Sequence, residues 1–204
     1  MTRNDDTLLA FMETIQRKAP EYLTLLSATT ESEFEEAFDS LLSKAICHLE
    51  ENKKNFKNLS EEGLSAVLSA SLSIPGLTVT QETNSNGHVD LLIEANHCTP
   101  TRKKLAEAKI YSGYAYHASG LNQLLKRYTT GREGRGLLIV YVRIRNIRGL
   151  INGLRTSMDT NSPEEQIGVC TDHILRWSFV SEHEHSSGEK LQVGHIGCNL
   201  YIDA

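Results

Sequence analysis

Large side chains are scarce in this chain of 204 residues. Aromatics make up 6% and hydrophobic residues 39%, which suits one globular domain with a real core and little surplus bulk. No run approaches the roughly 18 consecutive apolar residues of a membrane span. The opening MTRNDDTLLAFMETI has neither the apolar core nor the small-residue cleavage site of a secretory signal. Cys47, Cys98, Cys170 and Cys198 form no CxxC pair, which argues against a zinc cage or a disulfide framework. A reducing cytoplasm is the expected setting. Repeats and low-complexity tracts are absent as well.

Acidic residues are nearly missing from the middle of the chain. Residues 102–155 carry 12 Lys/Arg and 2 Asp/Glu, a net of +10, while residues 1–101 net −9 and residues 156–204 net −6. A basic block between acidic ends is an electrostatic footprint for a polyanion, or a face paired with those ends.

What is present has clear periodicity. Residues 7–57 read as helical: Phe34, Phe38, Leu41, Leu42, Ala45 and Leu49 recur at three- and four-residue steps, with Thr30 or Ser32 as the cap. A further helix starts at Ser60, with Leu64, Val67, Leu68 and Leu72 as its stripe, and IPG at 74–76 ends it. Extended segments follow at 77–83, 88–94 and 103–110, the first ending in the turn signal NSNG. A helix is expected at about 117–129. LLIVYVRI (137–144) reads as a strand buried on both faces. IRGLINGLRTSM reads as one more helix, and the segments around FVSE and KLQVGHIGCNLYI as a closing hairpin. The sum is a mixed α/β fold around one sheet.

The chemistry concentrates in the third strand. Residues two apart share a strand face, so Glu107 and Lys109 point the same way. A carboxylate and an ammonium side by side on an inner strand are costly without partners or a task. If the second and third strands pair, Asp90 comes close to Glu107. Two carboxylates and a backbone carbonyl are hard oxygen ligands for Mg²⁺ or Mn²⁺. A lysine beside them suits stabilisation of a phosphoryl transition state or positioning of the attacking water.

Asp90 on one strand and Glu107-Ala108-Lys109 on the next resemble the PD-(D/E)xK nuclease superfamily, the restriction-endonuclease-like fold. The resemblance covers residues 60–144 and implies a core of helix, three strands, helix, strand. Residues 1–57 would then be an N-terminal helical extension and 58–204 the nuclease-like domain with its C-terminal hairpin. It implies that Asp90 and Glu107 bind the metal, that Lys109 is the catalytic lysine and that the Ala108 carbonyl completes the metal shell. The first-helix acid found in many members would be Glu61 or Glu62; Glu61, on the inward stripe with Leu64 and Leu68, is favoured and joins the expected metal residues, while Glu62 is expected to point elsewhere. Many members carry a glutamine followed four residues later by tyrosine. Here Gln123 is followed by Tyr128 at five, a spacing that separates the two on an α-helix, so Gln123 is favoured. YSG at 111–113 resembles an aromatic-Ser-Gly of some bacterial members, with Ser112 a candidate phosphate contact. The proline before the aspartate is absent, replaced by Val89.

The other polar candidates read as ordinary. Glu82 reads as a hairpin-end acid, His88 and His117 as plain polar residues, and HEH at 183–185 as a solvated loop. His195 and Cys198 have weak metal-like spacing and no partner pair, and Trp177 reads as core. Around the carboxylates the block supplies Arg102, Lys103, Lys104, Lys126, Arg127, Arg132, Arg135, Arg143, Arg145, Arg148 and Arg155. Phosphate contacts of this kind position without reading sequence, and no helix-turn-helix or zinc finger is evident for base readout. The expected function is a Mg²⁺/Mn²⁺-dependent DNA endonuclease of low sequence specificity. The resemblance implies bacterial antiviral defence or DNA repair. RNA or a branched junction are alternative substrates, and a non-cleaving binding or scaffold subunit is the rival. The acidic N-terminal helices are candidate surfaces for a homodimer or a partner protein.

Overall fold

Capping chemistry starts the helices where the sequence signals it. In the computed structural model, which describes residues 3–84 and 88–203, α1 (Arg3–Lys18) and α2 (Pro20–Ser27) are split at Ala19, and Pro20 opens the second at the position where its missing N–H costs nothing. Of the two candidate caps, Thr30 starts α3 (Glu31–Glu51), in a reciprocal capping box with Glu33. The Ser60 hydroxyl accepts from Gly63 N at 3.2 Å and starts α4 (Glu61–Leu72).

Strands β1 (Thr78–Asn84), β2 (His88–Ala95) and β3 (Arg102–Ile110) form an antiparallel meander. Helix α5 (Tyr114–Gln123) continues directly into a π turn (Leu124–Tyr128). It carries the chain to β4 (Gly136–Val142), which is buried along its whole length and parallel to β3. Helix α6 (Ile147–Asn161) follows, then β5 (Thr171–Asp172), β6 (Ser178–Glu184) and β7 (Lys190–Asn199). The seven strands run in the order β1-β2-β3-β4-β7-β6-β5, with β7 inserted parallel beside β4.

The sheet divides two apolar layers. On one side α3 and α4 bury Phe34, Phe38, Leu42, Leu64 and Leu68 against Leu91, Ala106, Ala108, Ile139 and Tyr141. On the other, Leu121, Leu124, Ile151 and Leu154 cover Leu105, Leu138, Val140 and Phe179. The stretch before residue 57, expected as an extension, thus contributes α3 to the same core as the sheet. Helix α1 differs: Leu8, Leu9 and Phe11 on it are exposed. No described helix is long and apolar enough to cross a membrane.

Three cations of the basic block are answered by acids of α3. Lys104, 1% exposed, pairs with Glu35 and lies over the Phe34 and Phe38 rings. Arg135 bridges Glu35 (2.8 Å) and Asp39, and Arg102 meets Glu31 at 3.1 Å. Lys103 pairs with Glu94 (2.9 Å), and Arg143 donates to the Leu59 carbonyl (2.6 Å). The alternative of a basic block paired with the acidic ends therefore describes Arg102, Lys103, Lys104 and Arg135. Arg127, Arg132, Arg145 and Arg148 are exposed.

Candidate functional site: a carboxylate–lysine cluster where a strand ladder ends

Strand β2 stops pairing with β3 before β3 ends. The last paired step is Leu91↔Ala106, one residue short of Asp90 and Glu107. Beyond it, β3 still turns N–H groups toward the vacated side, and buried N–H groups need acceptors. Side-chain carboxylates supply them. Ala108 N donates to Asp90 Oδ2 at 2.8 Å, and Ile110 N donates to Glu61 Oε2 at 2.6 Å. Carboxylates thus stand where a neighbouring strand would have put carbonyls. A strand residue presents N–H and C=O on the same side, so the Ala108 carbonyl faces this edge too.

Glu107 and Lys109 project from β3 toward α5. Lys109 Nζ lies 2.5 Å from Glu107 Oε1 and 3.5 Å from Glu61 Oε1, and 5.6 Å from the centre of the Tyr116 ring. Gly120 lets α5 lie across the lysine stem: a Cβ there would meet Lys109 Cγ at 3.2 Å and Leu138 Cδ1 at 3.1 Å. The four sequence-derived residues Glu61, Asp90, Glu107 and Lys109 are therefore brought together. Glu62, expected to point elsewhere, is held by Ser60 but also lines the recess beside Glu61 and Asp90.

The electrostatics follow from burial. Desolvation pushes the Glu107 carboxyl up to about 7; the Lys109 hydrogen bond opposes this, and the Asp90 and Glu61 charges add to it. Burial also raises Asp90, against the pull of the Ala108 N–H and Lys109. For Lys109 burial works against the charge, but Glu107, Glu61 and Asp90 outweigh it and hold the ammonium above its ordinary value. The lysine is a fixed cation at neutral pH and the glutamate a carboxyl poised there.

Among the described residues no group of three or more His, Cys, Asp or Glu side chains is gathered to hold a metal ion. Mg²⁺, however, commonly takes one or two carboxylates and keeps several waters. Glu107 Oε2 is buried without a hydrogen-bond partner, an open hard-oxygen ligand. A recess of about 30 Å³ lined by Glu61, Glu62, Ser65, Gln81 and Asp90 adjoins the cluster, above the roughly 10–15 Å³ that one water needs. The donor set and the unpartnered oxygen fit a small divalent cation.

The expected nucleic-acid contacts divide. Gln123 ends α5 with Oε1 buried and unpartnered. Tyr128, set aside because five residues separate it from Gln123 on an α-helix, ends a π turn to which that spacing argument does not apply. The π turn, closed by Thr129 N donating to the Leu124 carbonyl at 3.2 Å, puts residues five apart on one face. Tyr128 is buried and within electrostatic reach of Glu107 and Asp90. Ser112 is exposed in the turn before α5, and Arg127 is exposed. Lys126 pairs with Glu164 at 2.7 Å, beside a cleft that also holds Glu165 and Glu184, surroundings that repel phosphate. Tyr116, over Lys109, had no signal beyond its nearness to YSG.

The histidines read as ordinary form a buried chain. His183, expected in a solvated loop, is 0% exposed at the end of β6, while His185 is half-buried. His183 Nδ1 meets the Glu164 carbonyl (2.8 Å), which can only accept, so Nδ1 carries the proton. Ser181 Oγ then donates to His183 Nε2 (2.7 Å) and accepts from His195 Nε2 (2.7 Å). His195 Nδ1 accepts from His117 Nε2 at 2.9 Å. The chain ends on His117 Nδ1, a buried lone pair without a partner. The side chains of Glu82 and His88 and the turn residues 85–87 lie outside the described residues.

No protein-family model, no curated protein and no solved structure matches the chain.

Proposed function

We propose that the protein is a metal-dependent phosphodiesterase acting on nucleic acid, with DNA as the leading substrate. The observation that carries this reading is the convergence of Asp90, Glu107 and Lys109 where the β2–β3 ladder ends, with one Glu107 oxygen buried and unpartnered. Asp90 and Glu107, with the Ala108 carbonyl, would hold Mg²⁺ or Mn²⁺, which supplies Lewis-acid polarisation of the phosphodiester and a water of lowered pKa. Glu61 and the strand N–H groups fix the geometry. The Lys109 ammonium, beside Glu107, would stand where it can meet charge growing on the phosphoryl oxygens. Lys109 is held protonated, so it acts as a cation and hydrogen-bond donor rather than as the base.

A second reading, a binding subunit that does not cleave, draws on the Lys109–Glu107 pair itself, which satisfies both charges with no metal. Hydrolysis separates the two. Purified protein is incubated with plasmid, single-stranded DNA, branched DNA and RNA in Mn²⁺ or Mg²⁺, beside Asp90→Ala and Lys109→Ala. Cleavage of at least one substrate, lowered at least a hundredfold in both variants (~10²–10³ for one electrostatic group), supports the enzyme. Wild type and variants behaving alike on all four removes it.

A further inference from the structure

Between α6 and the start of β6 lies a cleft of about 280 Å³ lined by Arg148, Arg155, Asp172, Arg176, Trp177 and Phe179 among others. Three guanidinium groups face one carboxylate there. Asp172 is committed to Arg155, with Nη1 to Oδ1 at 2.5 Å, and Arg155 also donates Nη2 to the Cys170 carbonyl at 2.7 Å. Arg148 and Arg176 are exposed, and neither has an ion-pair partner among the described residues. The cleft is therefore cationic at its mouth.

Its aromatic member stands in an unusual backbone position. Trp177 has φ +55°, a region that bulky side chains rarely occupy. Gly197 makes it possible: its N–H donates to the Trp177 carbonyl at 3.1 Å, and a Cβ at 197 would lie 2.5 Å from that oxygen. The β6–β7 ladder starts one residue later, at Ser178↔Ile196. Trp177 is thus held just outside the ladder, half-buried, with the Arg176 guanidinium 4.9 Å from its ring centre. The sequence reading of Trp177 as core filler describes only the part of the ring that packs on the sheet layer.

We propose that this cleft binds an unpaired nucleotide of a single-stranded nucleic acid, the base against Trp177 and the phosphates at Arg148 and Arg176. An aromatic platform flanked by arginines is the chemistry that holds unpaired bases without reading sequence. The entering base takes the place of the guanidinium on the ring, and the freed cation meets the adjacent phosphate. Placement agrees with the carboxylate cluster. Phe179, in the cleft lining, stands in one cross-sheet row with His195, Leu138 and Glu107. Three strand spacings separate the ends of that row, about 14 Å, or about four nucleotides of a stacked strand at ~3.4 Å each. The binding does not depend on hydrolysis, so it is measured without divalent metal and stands or falls separately from the enzymatic reading.

The chain has one tryptophan, so its emission reports on this cleft. The full chain is titrated with a fluorescently tagged 12-nucleotide oligothymidylate, and untagged oligomer is used for the emission. The expected result is saturable quenching of Trp177 that weakens with added salt, while inorganic polyphosphate leaves the emission unchanged. Trp177→Asn, a residue that tolerates the left-handed backbone, and Arg176→Ala, at an exposed position, each weaken binding about tenfold by anisotropy. Arg176→Ala keeps the test decisive should the other variant misfold. Binding without quenching, quenching by polyphosphate, or both variants binding like wild type overturns the proposal. Equal quenching by thymidine monophosphate at the same nucleotide concentration overturns the assignment to a strand and makes a free nucleotide the ligand.

Discussion

A carboxylate buried with one oxygen unpartnered is costly, and Glu107 bears that cost in a strand whose neighbours are alanines. The cost is reduced by Lys109, and the pair explains why the two charges sit two residues apart with Ala108 between them. Ala108 packs into the opposite layer, against α3 and α4, so only a small residue fits while its neighbours reach the α5 side. At the same scale, the buried histidines set a pH response. His117 is held down to about 4, from an ordinary value of 6.5, by desolvation, and His195 and His183 are lowered by the same cause. A folded-state value below the unfolded one gives stability that is full above about 6.5 and is lost as pH falls toward 4. Melting temperatures between those limits should fall with acid in the wild type and fall less steeply in His117→Leu. Equal slopes would mean that His117 titrates as an exposed group.

At the scale of elements, α3 decides whether residues 58–204 stand alone. Phe38 is 0% exposed, and Phe38→Ala should cost about 3–5 kcal/mol by denaturant unfolding. A chain beginning at residue 58 loses one wall of the core and should lack cooperative unfolding by circular dichroism; a sharp transition would restore the division at 57. Elements were the most legible feature of the sequence. The strands at 88–94 and 103–110 were readable to within a residue, because alternation and flanking turn residues report local geometry. The π turn was not, since nothing in LLKRY distinguishes it from an α-helical turn, and the α-helical spacing applied to Tyr128 does not hold there. The insertion of β7 beside β4 was also hidden, because pairing between strands so distant in sequence leaves no local mark.

The whole molecule answers the charge asymmetry in two ways. Lys104 and Arg135 are 69 and 100 positions beyond their shared partner Glu35, a separation that composition cannot see. Glu35→Ala leaves Lys104 buried and unpaired and should destabilise the protein by about 3–5 kcal/mol, measured by urea unfolding near neutral pH. A change below about 1 kcal/mol, the size of an exposed pair, would place this cluster at the surface in energetic terms. Arg127, Arg132 and Arg148 are exposed and have no ion-pair partner among the described residues, and under the proposed function they are the cations that would meet a polyanion. The candidate site was legible as Asp90, Glu107, Lys109 and Glu61 because strand and helix periodicity indicate which side chains share a face and because the pattern resembles that of a nuclease superfamily. Their meeting at the end of a ladder depends on where β2 stops pairing, which no residue type announces.

The central claim is that Asp90 and Glu107 form a divalent-cation site. Titration of Mn²⁺ followed by electron paramagnetic resonance tests it most directly. Glu107, held up to about 7, must lose its proton to bind, so affinity should be about tenfold higher near pH 8 than near pH 6. Asp90→Asn and Glu107→Gln should each lose at least about tenfold in affinity. Wild-type protein that takes up no Mn²⁺ near pH 8, or carboxylate variants that bind it equally well, would contradict the account.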